Sequence, residues 1–373
     1  MKRAIVSVIN DLSTDQRVHK VCNTLHKLGF EVILIGRKQR KSLALSKRDY
    51  ATKRMFLLFE KGSFFYAEYQ VRLFFYLLFH RADILVSNDL DTLLPNYLIS
   101  KLRTSNLVYD SHELFCEVPE LQNNPIKKQI WKRLERWIFP KLKHVFTVND
   151  SIAKIYKDEY NVEVNVIRNI PLLSNQTNFI KLSKEELGLP TDKKIILLQG
   201  AGINMDRGAE EAIQAMQFVN DALLLIIGSG DVIPVLKQMV IDLKLNSKIK
   251  FIEKIPFEKL MQYTHHADIG LTLDKDTNVN YRFSLPNKLF DYIHAGVPVL
   301  ASNLVEVKKI IDHYAVGDCI VSHDPKHIAD KLNRILADDS TLQIWKKNTK
   351  IVANSLNWEH EELKLIDVYK NFL

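Results

Sequence analysis

Apolar runs of strand length alternate with amphipathic segments of helix length along most of this 373-residue chain. Such alternation predicts parallel sheets whose strands are joined by crossover helices. The pattern stops at a polar, irregular stretch, 172–182, and restarts with an apolar run at Lys194. Because the chain is also longer than one typical domain, the sequence predicts two α/β domains, 1–171 and 183–356, joined by a linker at 172–182.

One stretch of the second half, 281–302, combines helix signals with side chains that suit binding. Pro286 is expected at the first helical position and Gly296 just past the helix end, where a positive φ is common. The polar face of the helix between them carries Asn287, Lys288 and Asp291. The N–H groups at its start can bind a phosphate, and a carboxylate further along can accept hydrogen bonds from sugar hydroxyls. An ordinary packing helix is the alternative.

Two glycine-bearing turns in the same half also follow predicted strands. The residues concerned are Gly200, Gly202, Arg207 and Gly208 in the first turn, and Gly228, Ser229 and Gly230 in the second. Glycine lets backbone N–H groups approach a phosphate closely, and arginine can neutralise the phosphate with two parallel hydrogen bonds. Tight packing is the alternative for the second turn. With the helix start at 284–288, the two turns make three anion-binding positions in one domain.

Acidic residues and a histidine follow two predicted strands of the first half. They are Asp89 and Asp91 after one strand, and Asp110, His112 and Glu113 after the next. Ligands of open α/β sheets bind beyond the carboxyl ends of strands, so His112 is a possible base or charge donor, with a structural role as the alternative. The Asp-x-Asp pairs at 89–91 and 274–276 would suit a metal ion. We favour helix caps and loop charges, because the sequence has no other cluster of ligands.

The chain is basic, with a formal net charge of +8, and the excess lies in two clusters at 37–54 and 127–143. Such patches suit nucleic acid, anionic lipid or a phosphorylated small molecule, and a solvated face is the alternative. Residues 55–80 are rich in aromatic side chains. They predict either a helix buried against the sheet or an apolar surface that rests on a membrane.

The three cysteines, Cys22, Cys116 and Cys319, are scattered along the chain. Their number and spacing predict a reducing compartment, without a disulfide framework or a zinc site. The apolar run after the basic N-terminus is too short for a signal peptide and is expected to be the first strand. No stretch has the uninterrupted apolar length of a membrane span.

The segment 283–302, Phe-Ser-Leu-Pro-Asn-Lys-Leu-Phe-Asp-Tyr-Ile-His-Ala-Gly-Val-Pro-Val-Leu-Ala-Ser, resembles the signature of retaining group 1 glycosyltransferases of the family 4 type. The turns at 202–208 and 228–231 resemble that family as well. So do Asn-Asp-Leu-Asp-Thr-Leu-Leu-Pro at 88–95 and Tyr-Asp-Ser-His-Glu at 109–113. The resemblance covers almost the whole chain. It implies a GT-B fold, in which two Rossmann-like domains face a cleft, the first binding the acceptor and the second the nucleotide sugar.

The resemblance also assigns roles to residues. It implies that Asp291 binds the nucleotide ribose, that Arg207 contacts the diphosphate, and that His112 lies near the reacting sugar. The implied donor site is Gly202, Arg207, Gly228, Ser229, Gly230, Ser284, Leu285, Pro286, Lys288 and Asp291, with backbone N–H groups from Ser284 and Leu285. The implied catalytic set is His112, Asp110, Arg207 and Lys288. The implied acceptor side is Asp15, Arg17, Asp89, Asp91 and Glu113. The final helix, 357–373, is expected to cross back to the first domain.

The implied reaction is transfer of a hexose-like sugar, with retention and without a metal, from a nucleoside diphosphate sugar to a hydroxyl group. A UDP-sugar is favoured over a GDP-sugar, and no other cofactor is expected. The acceptor would be a saccharide or lipid-linked molecule in the synthesis of a cell-surface polysaccharide, glycolipid or related glycoconjugate. We expect a cytoplasmic protein, peripheral on the inner face of an anionic membrane, with no nucleic acid partner. A nucleotide-sugar epimerase of the same fold and a non-catalytic nucleotide-sugar-binding protein are the alternatives.

The sequence departs from the family pattern at three places. Phe283 stands where the family has its first Glu, eight positions before Asp291, and phenylalanine cannot accept hydrogen bonds from a donor sugar. Asp291 itself replaces a Glu, which shortens its reach by one methylene. The glycine pair that many members carry after the first strand is missing from the loop at 10–14. The expectation for sugar recognition is therefore weaker than that for nucleotide binding.

Overall fold

The computed structural model describes residues 1–13, 15–40, 42, 44–173 and 182–373. They form two compact units, Met1–Asn169 with His360–Leu373, and Ile170–Glu359. Thr14 of the first loop, Lys41 of the first basic cluster and most of the expected linker lie outside the described residues.

The first unit contains a seven-stranded sheet in the order β3-β2-β1-β4-β5-β6-β7, and all neighbouring strands are parallel. Its strands are β1 (Arg3–Asp11), β2 (Glu31–Lys38), β3 (Ala51–Phe56), β4 (Ile84–Asn88), β5 (Asn106–Ser111), β6 (His144–Thr147) and β7 (Val164–Val166). Its helices include α1 (Gln16–Lys27), α2 (Gly62–Phe79), α3 (Leu90–Arg103), α4 (Pro119–Gln122), α5 (Pro125–Ile138) and α6 (Asp150–Tyr160). The central strand β4 is buried along its whole length.

The helix starts of this unit follow from short polar side chains that accept backbone hydrogen bonds. Asp15 accepts from the N–H of Val18 at the start of α1, and Asn149 accepts from that of Ile152 at the start of α6. Helix α2 buries Phe65, Tyr69, Leu73 and Leu77 against the sheet. The expectation of a buried helix for 55–80 is therefore confirmed for one face of α2.

The second unit contains a six-stranded parallel sheet in the order β10-β9-β8-β11-β12-β13. Its strands are β8 (Lys194–Gly200), β9 (Ala222–Gly228), β10 (Ile249–Glu253), β11 (Ile269–Thr272), β12 (Val299–Ser302) and β13 (Gly317–Ile320). Its helices include α7 (Ala209–Ala215), α8 (Ile233–Asp242), α9 (Phe257–Thr264), α10 (Val279–Arg282), α11 (Asn287–His294), α12 (Val305–Tyr314), α13 (Pro325–Ala337) and α14 (Asp339–Ala353).

Both faces of this second sheet are covered. On β8, Ile196 and Leu198 belong to one apolar cluster, whereas Ile195 and Leu197 belong to another. Successive side chains of a strand point to opposite faces, so the two clusters lie on opposite sides of the sheet. The prediction of two Rossmann-like α/β domains is confirmed.

The last helix, α15 (Trp358–Tyr369), lies mostly in the first unit. There Glu362 accepts a hydrogen bond from the Thr24 hydroxyl at 2.8 Å, and Glu361 accepts one from the backbone N–H of Arg168 at 3.0 Å. Among the described residues, no helix combines the length and the apolar character that crossing a membrane requires.

Candidate active site

The carboxyl ends of the neighbouring strands β4 and β5 bring Asp89 and Asp110 of the first unit together. The backbone N–H of Asp89 donates to the carbonyl oxygen of Asp110 at 2.9 Å, because the two strands are neighbours. Asp89 has a φ of 57°, which an L residue rarely adopts. Its side chain accepts a hydrogen bond from the backbone N–H of His112 at 2.8 Å. The strand ends thus hold His112 against Asp89.

Arg17 anchors this cluster from α1. Its guanidinium donates two hydrogen bonds to Asp110, at 2.6 and 3.0 Å, and a third to the carbonyl oxygen of Ile167 at 2.7 Å. Burial by itself would raise the pKa of Asp110, but Arg17 and His112 outweigh it and hold that pKa well below its usual range. Asp110 is therefore ionised, and its charge is neutralised inside the unit.

His112 is surrounded by acceptors. Its Nδ1 lies 3.4 Å from an Asp89 oxygen, and its Nε2 lies 3.2 Å from the Asn88 amide oxygen and 3.5 Å from Asp110. Burial opposes protonation, but the two carboxylates prevail and raise the pKa of His112 to about 9. Both ring nitrogens therefore carry protons at neutral pH. The structure favours a charge donor over the base that the sequence left open.

The remaining acceptor-side residues differ in role. Asp15 caps α1 and also accepts a hydrogen bond from Asn10 at 3.1 Å, so its visible contacts are structural. Asp91 is buried, and burial together with neighbouring Asp89 raises its pKa well above the usual range. Asp91 and Glu113 both line the same large cavity of this unit.

In the second unit, the glycine turns after β8 and β9 pack backbone against backbone. The N–H of Ser229 donates to the carbonyl oxygen of Gly200 at 3.1 Å. A Cβ at Gly228 would collide with the Gly200 carbonyl oxygen, and one at Gly230 with the Ile203 carbonyl oxygen. Tight packing thus explains Gly228 and Gly230. Gly202 differs, because among the described residues a Cβ there would meet only Asn204, at 3.8 Å.

Arg207 and Lys288 approach one buried carboxylate, Asp274, which follows β11. Its Oδ1 lies 3.3 Å from Arg207 Nη1 and 3.9 Å from Lys288 Nζ. The Arg207 guanidinium also lies over the Tyr281 ring, 4.3 Å from the centroid. Burial, followed by the positive charge of Arg207, lowers the pKa of Lys288, although Asp274 opposes the shift. Two cations therefore share one counterion at the carboxyl end of a strand.

Asp274 is a residue whose role the sequence interpretation missed. The 274–276 segment was expected to carry loop charges, and that is correct for Asp276, which pairs with exposed Arg282 at 2.9 Å. Asp274 is only 1% exposed. Its position two residues after a buried strand was the available signal, since ligand-binding side chains of parallel sheets occur near such strand ends.

The helix α11 places Asp291 next to the same strand ends. The Asp291 carboxylate accepts a hydrogen bond from the Gln199 amide at 3.3 Å, and the Gln199 oxygen accepts one from Thr264 at 2.7 Å. Gly296 has the positive φ expected after the helix, 76°. Pro286 precedes the helix as its N-cap, one position earlier than predicted, because the helix begins at Asn287.

The backbone before α11 differs from expectation at Ser284. Its N–H donates to the carbonyl oxygen of Tyr281 at 3.1 Å, and its hydroxyl contacts the same oxygen at 2.9 Å. This happens because α10 ends in a tight turn at Phe283. The Ser284 N–H is therefore occupied, whereas Leu285 remains an expected donor. Among the described residues, no group of three or more His, Cys, Asp or Glu side chains could hold a metal ion.

Comparison with known proteins identifies the family of the chain. Residues 15–171 match the family described as Glycosyltransferase Family 4, and residues 179–352 match the one described as Glycosyl transferases group 1. The chain belongs to the group 1, family 4 type of glycosyltransferases. An uncharacterized glycosyltransferase of Methanocaldococcus jannaschii is 26% identical over 238 residues, which are 61% of this chain and 59% of that protein.

A second relative of the chain is the D-inositol 3-phosphate glycosyltransferase of Xylanimonas cellulosilytica. It is 21% identical over 196 residues, which are 50% of this chain and 44% of the relative. The matched regions thus span less than two thirds of either curated relative.

Solved structures establish the fold. Sucrose-phosphate synthase from Thermosynechococcus elongatus superposes with a TM-score of 0.82 at 16% identity, covering 100% of this chain and 99% of that one. The Anabaena protein HepE, determined with UDP and glucose, superposes with a TM-score of 0.75 at 12% identity and covers 100% of both chains. At such identities the likeness concerns architecture alone, and the architecture is GT-B.

Proposed function

We propose that this glycosyltransferase moves a sugar from a nucleoside diphosphate sugar to an acceptor hydroxyl, with retention and without a metal ion. The observation that carries the proposal is the pair of largely buried cations, Arg207 and Lys288, which share the single carboxylate of Asp274. A diphosphate could satisfy both cations, since neither has a tight ion pair with Asp274. The second unit would therefore bind the donor, and the first unit would bind the acceptor.

The chemical demand of this reaction is the negative charge that builds on the departing diphosphate. Positively charged groups that are already in place stabilise such charge most effectively when water is excluded. Arg207 offers a planar fork for phosphate oxygens, held from behind by the Tyr281 ring. Lys288 adds a second cation, and the open backbone at Gly202 leaves room for a phosphate to approach.

Uridine is the base that we favour, because the Anabaena structure of the same fold was determined with UDP and glucose. Asp291 would bind the ribose, with Gln199 orienting its carboxylate through the hydrogen bond at 3.3 Å. In the first unit, the His112 imidazolium would donate hydrogen bonds to substrate oxygens. With retention, the acceptor hydroxyl attacks the sugar from the same face that the diphosphate leaves, and this route requires no nucleophile from the enzyme. His112 therefore does not have to act as a nucleophile and can stay protonated.

The test measures binding and turnover in two variants of the cation pair and in one control variant. Arg207→Ala and Lys288→Ala are each expected to lower kcat/KM by about 100-fold or more, the size typical for losing a preorganised charge-stabilising group. Arg282→Ala is the matched control, because Arg282 is exposed and forms its ion pair with Asp276, six residues earlier in the chain. The turnover of each protein is measured with a panel of UDP- and GDP-sugars. If Arg207→Ala turns the panel over as fast as the wild type does, the assignment of the diphosphate site to Arg207 is refuted.

Asp274→Asn probes the shared carboxylate in the same assay. Removing its charge leaves two half-buried cations without a counterion, so the ligand-free variant is expected to be less stable than the wild type. UDP should restore that stability, and the rise in melting temperature on UDP addition should exceed that of the wild type. A smaller UDP-induced rise in the variant would contradict a diphosphate site at Arg207 and Lys288.

Phe283 favours a second candidate, a non-catalytic nucleotide-sugar-binding protein. It is the half-buried residue that ends α10, in the place of a sugar-binding carboxylate. Binding of UDP-sugars without turnover across an acceptor panel would support this candidate. An epimerase would instead convert the donor sugar in the absence of any acceptor, so incubation of the donor alone separates the epimerase from the other two candidates.

A further inference from the structure

A large cavity of the first unit lies between α2, α3 and α5. Its volume is about 1260 Å³, which exceeds the ~300–1,000 Å³ of typical small-molecule sites. Most of its lining is apolar, and the wall includes Phe74, Phe75, Leu94, Leu98, Ile130 and Trp137. Apolar walls of this extent suit a hydrocarbon chain, because the contact removes apolar surface of both from water.

Aromatic contacts hold the walls in place. Trp131 on α5 meets Tyr66 on α2 edge-on at 5.4 Å between ring centroids, and Trp137 meets Tyr97 on α3 at 5.6 Å. Edge-to-face pairs stabilise one relative orientation of the rings beyond the area that they bury. The packing of these aromatic rings therefore fixes the shape of the cavity between the three helices.

The open side of the cavity exposes apolar side chains. Phe75 is 51% exposed, Leu98 39% and Ile130 59%, and each comes from a different helix. Contiguous exposed apolar surface of this kind favours binding of an apolar partner, because covering it removes hydrocarbon from water.

One part of the lining is polar and belongs to the acceptor-side cluster. Asp89 and Asp91 both line the cavity, and Asp89 also binds the backbone of His112. Asp91 is 4% exposed, and within the described part of the chain its Oδ1 has no hydrogen-bond partner. A buried oxygen of this kind is costly unless a ligand group pairs with it. Lys127 and Arg133 on α5 add positive charge to the lining.

We propose that this cavity holds the hydrocarbon chain of a phosphate-bearing lipid acceptor, whose hydroxyl pairs with Asp91. The apolar walls take the chain, Lys127 and Arg133 complement the phosphate, and the Asp89–Asp91 end receives the group that is glycosylated. The role of the hydroxyl rests on the proposed function, whereas binding of the chain does not.

The first test measures affinity for n-hexyl, n-octyl and n-decyl phosphate, each below its critical micelle concentration, with inorganic phosphate as the headgroup alone. Calorimetry and the fluorescence of Trp131 and Trp137, which line the cavity, report binding. The dissociation constant is expected to fall about fourfold per added methylene while the chain enters the cavity. Equal affinity for all chain lengths, or for inorganic phosphate, overturns the proposal.

Matched variants one helical turn apart locate the chain. Ile130 and Leu98 line the cavity, whereas Ile126 on α5 and Leu102 on α3 are exposed apolar residues outside it. Ile130→Asp and Leu98→Asp are expected to weaken decyl phosphate binding by about tenfold or more, since a carboxylate would stand in the path of the chain. Ile126→Asp and Leu102→Asp should bind as the wild type does.

A membrane-resting surface gives a different pattern. In that case all four variants would lose binding to phosphatidylglycerol vesicles to a similar degree, and none would discriminate chain length in monomeric alkyl phosphates; this result also overturns the proposal. UDP binding is measured on the same samples. If the alkyl phosphates do not bind but UDP does, only the lipid site is refuted. If UDP does not bind, the donor site of the proposed function is refuted.

Discussion

Arg17 and Asp110 form a buried, two-pronged ion pair, with Nη2 and Oδ1 2.6 Å apart and side chains 3% and 2% exposed. The pair fastens α1 to the end of β5, and Asp110 in turn faces His112. Because burial removes both groups from water, the loss of one partner leaves an uncompensated buried charge. Arg17 and Asp110 are thus coupled in stability before any substrate is considered.

Asp110→Asn is therefore expected to lower the free energy of unfolding by about 3–5 kcal/mol. The measurement is urea unfolding of variant and wild type near neutral pH. Asp158→Asn is the control, because Asp158 forms an exposed pair with Lys154 and such pairs contribute little. Equal stability of Asp110→Asn and wild type would show that Arg17 is not held by this charge. The folded pKa of Asp110 is depressed, so its contribution should also fade only in acid, below the unfolded pKa.

The contribution of His112 to stability should depend on pH in the opposite direction. Its pKa is raised from 6.5 to about 9 in the folded protein. The stabilisation is therefore fully present below about pH 6.5 and is lost as the pH rises through about 9, with a total of about 3 kcal/mol. Unfolding free energies of wild type and His112→Asn, measured from pH 6 to 10, should differ in slope over this window. His26→Asn, which changes an exposed histidine on α1, should keep the wild-type slope.

Alanine substitutions at the glycines of the second unit should distinguish the glycines that are needed for packing from the one that is expected to bind the donor. Gly228→Ala and Gly230→Ala place a Cβ against a backbone carbonyl oxygen, and we expect each to lower the free energy of unfolding by about 1–3 kcal/mol or more. Gly202→Ala finds room, so stability should stay within about 0.5 kcal/mol of wild type while UDP affinity falls. Thermal unfolding and calorimetric titration distinguish these outcomes. Unchanged UDP affinity in Gly202→Ala would remove Gly202 from the donor site.

The periodic elements were accessible to sequence reasoning, whereas two edge strands were not. β3 and β13 lie at the edges of their sheets. Most side chains of β3 are exposed, and β13 is short and begins with Gly317 and Asp318, so neither presents a long apolar run. A pattern of apolar residues in the sequence indicates burial. An edge strand that buries few side chains therefore shows little of this pattern.

The same limit explains the outcomes at the site. Asp89, Asp110 and His112 could be grouped from sequence because neighbouring parallel strands bring their carboxyl ends together. The position of Asp274 between Arg207 and Lys288 could not be predicted from the sequence, because it depends on how β11 and α11 pack. Likewise, the turn that occupies the Ser284 N–H is set by where α10 ends, and helix ends are the least predictable feature of a sequence.

Asp291 carries the most specific prediction for the donor nucleotide. If its carboxylate binds the ribose, the wild type should prefer UDP over the 2′-deoxy or the 3′-deoxy analogue by about 10- to 100-fold, the value of a hydrogen bond to a charged group. Asp291→Ala should bind UDP more weakly and should lose this preference, because the hydroxyl then has no charged partner. Calorimetric titration of the three nucleotides against both proteins gives the comparison.

The control for this cycle is Asp276→Ala, since Asp276 lies at the surface and pairs with Arg282. It should retain the wild-type preference between UDP and its deoxy analogues. Gln199→Leu should act in the same direction as Asp291→Ala but less strongly, because Gln199 only orients the carboxylate through its amide. A preference that survives in Asp291→Ala would move the ribose away from α11, and a loss in Asp276→Ala would show that the effect is electrostatic at long range rather than a contact at Asp291.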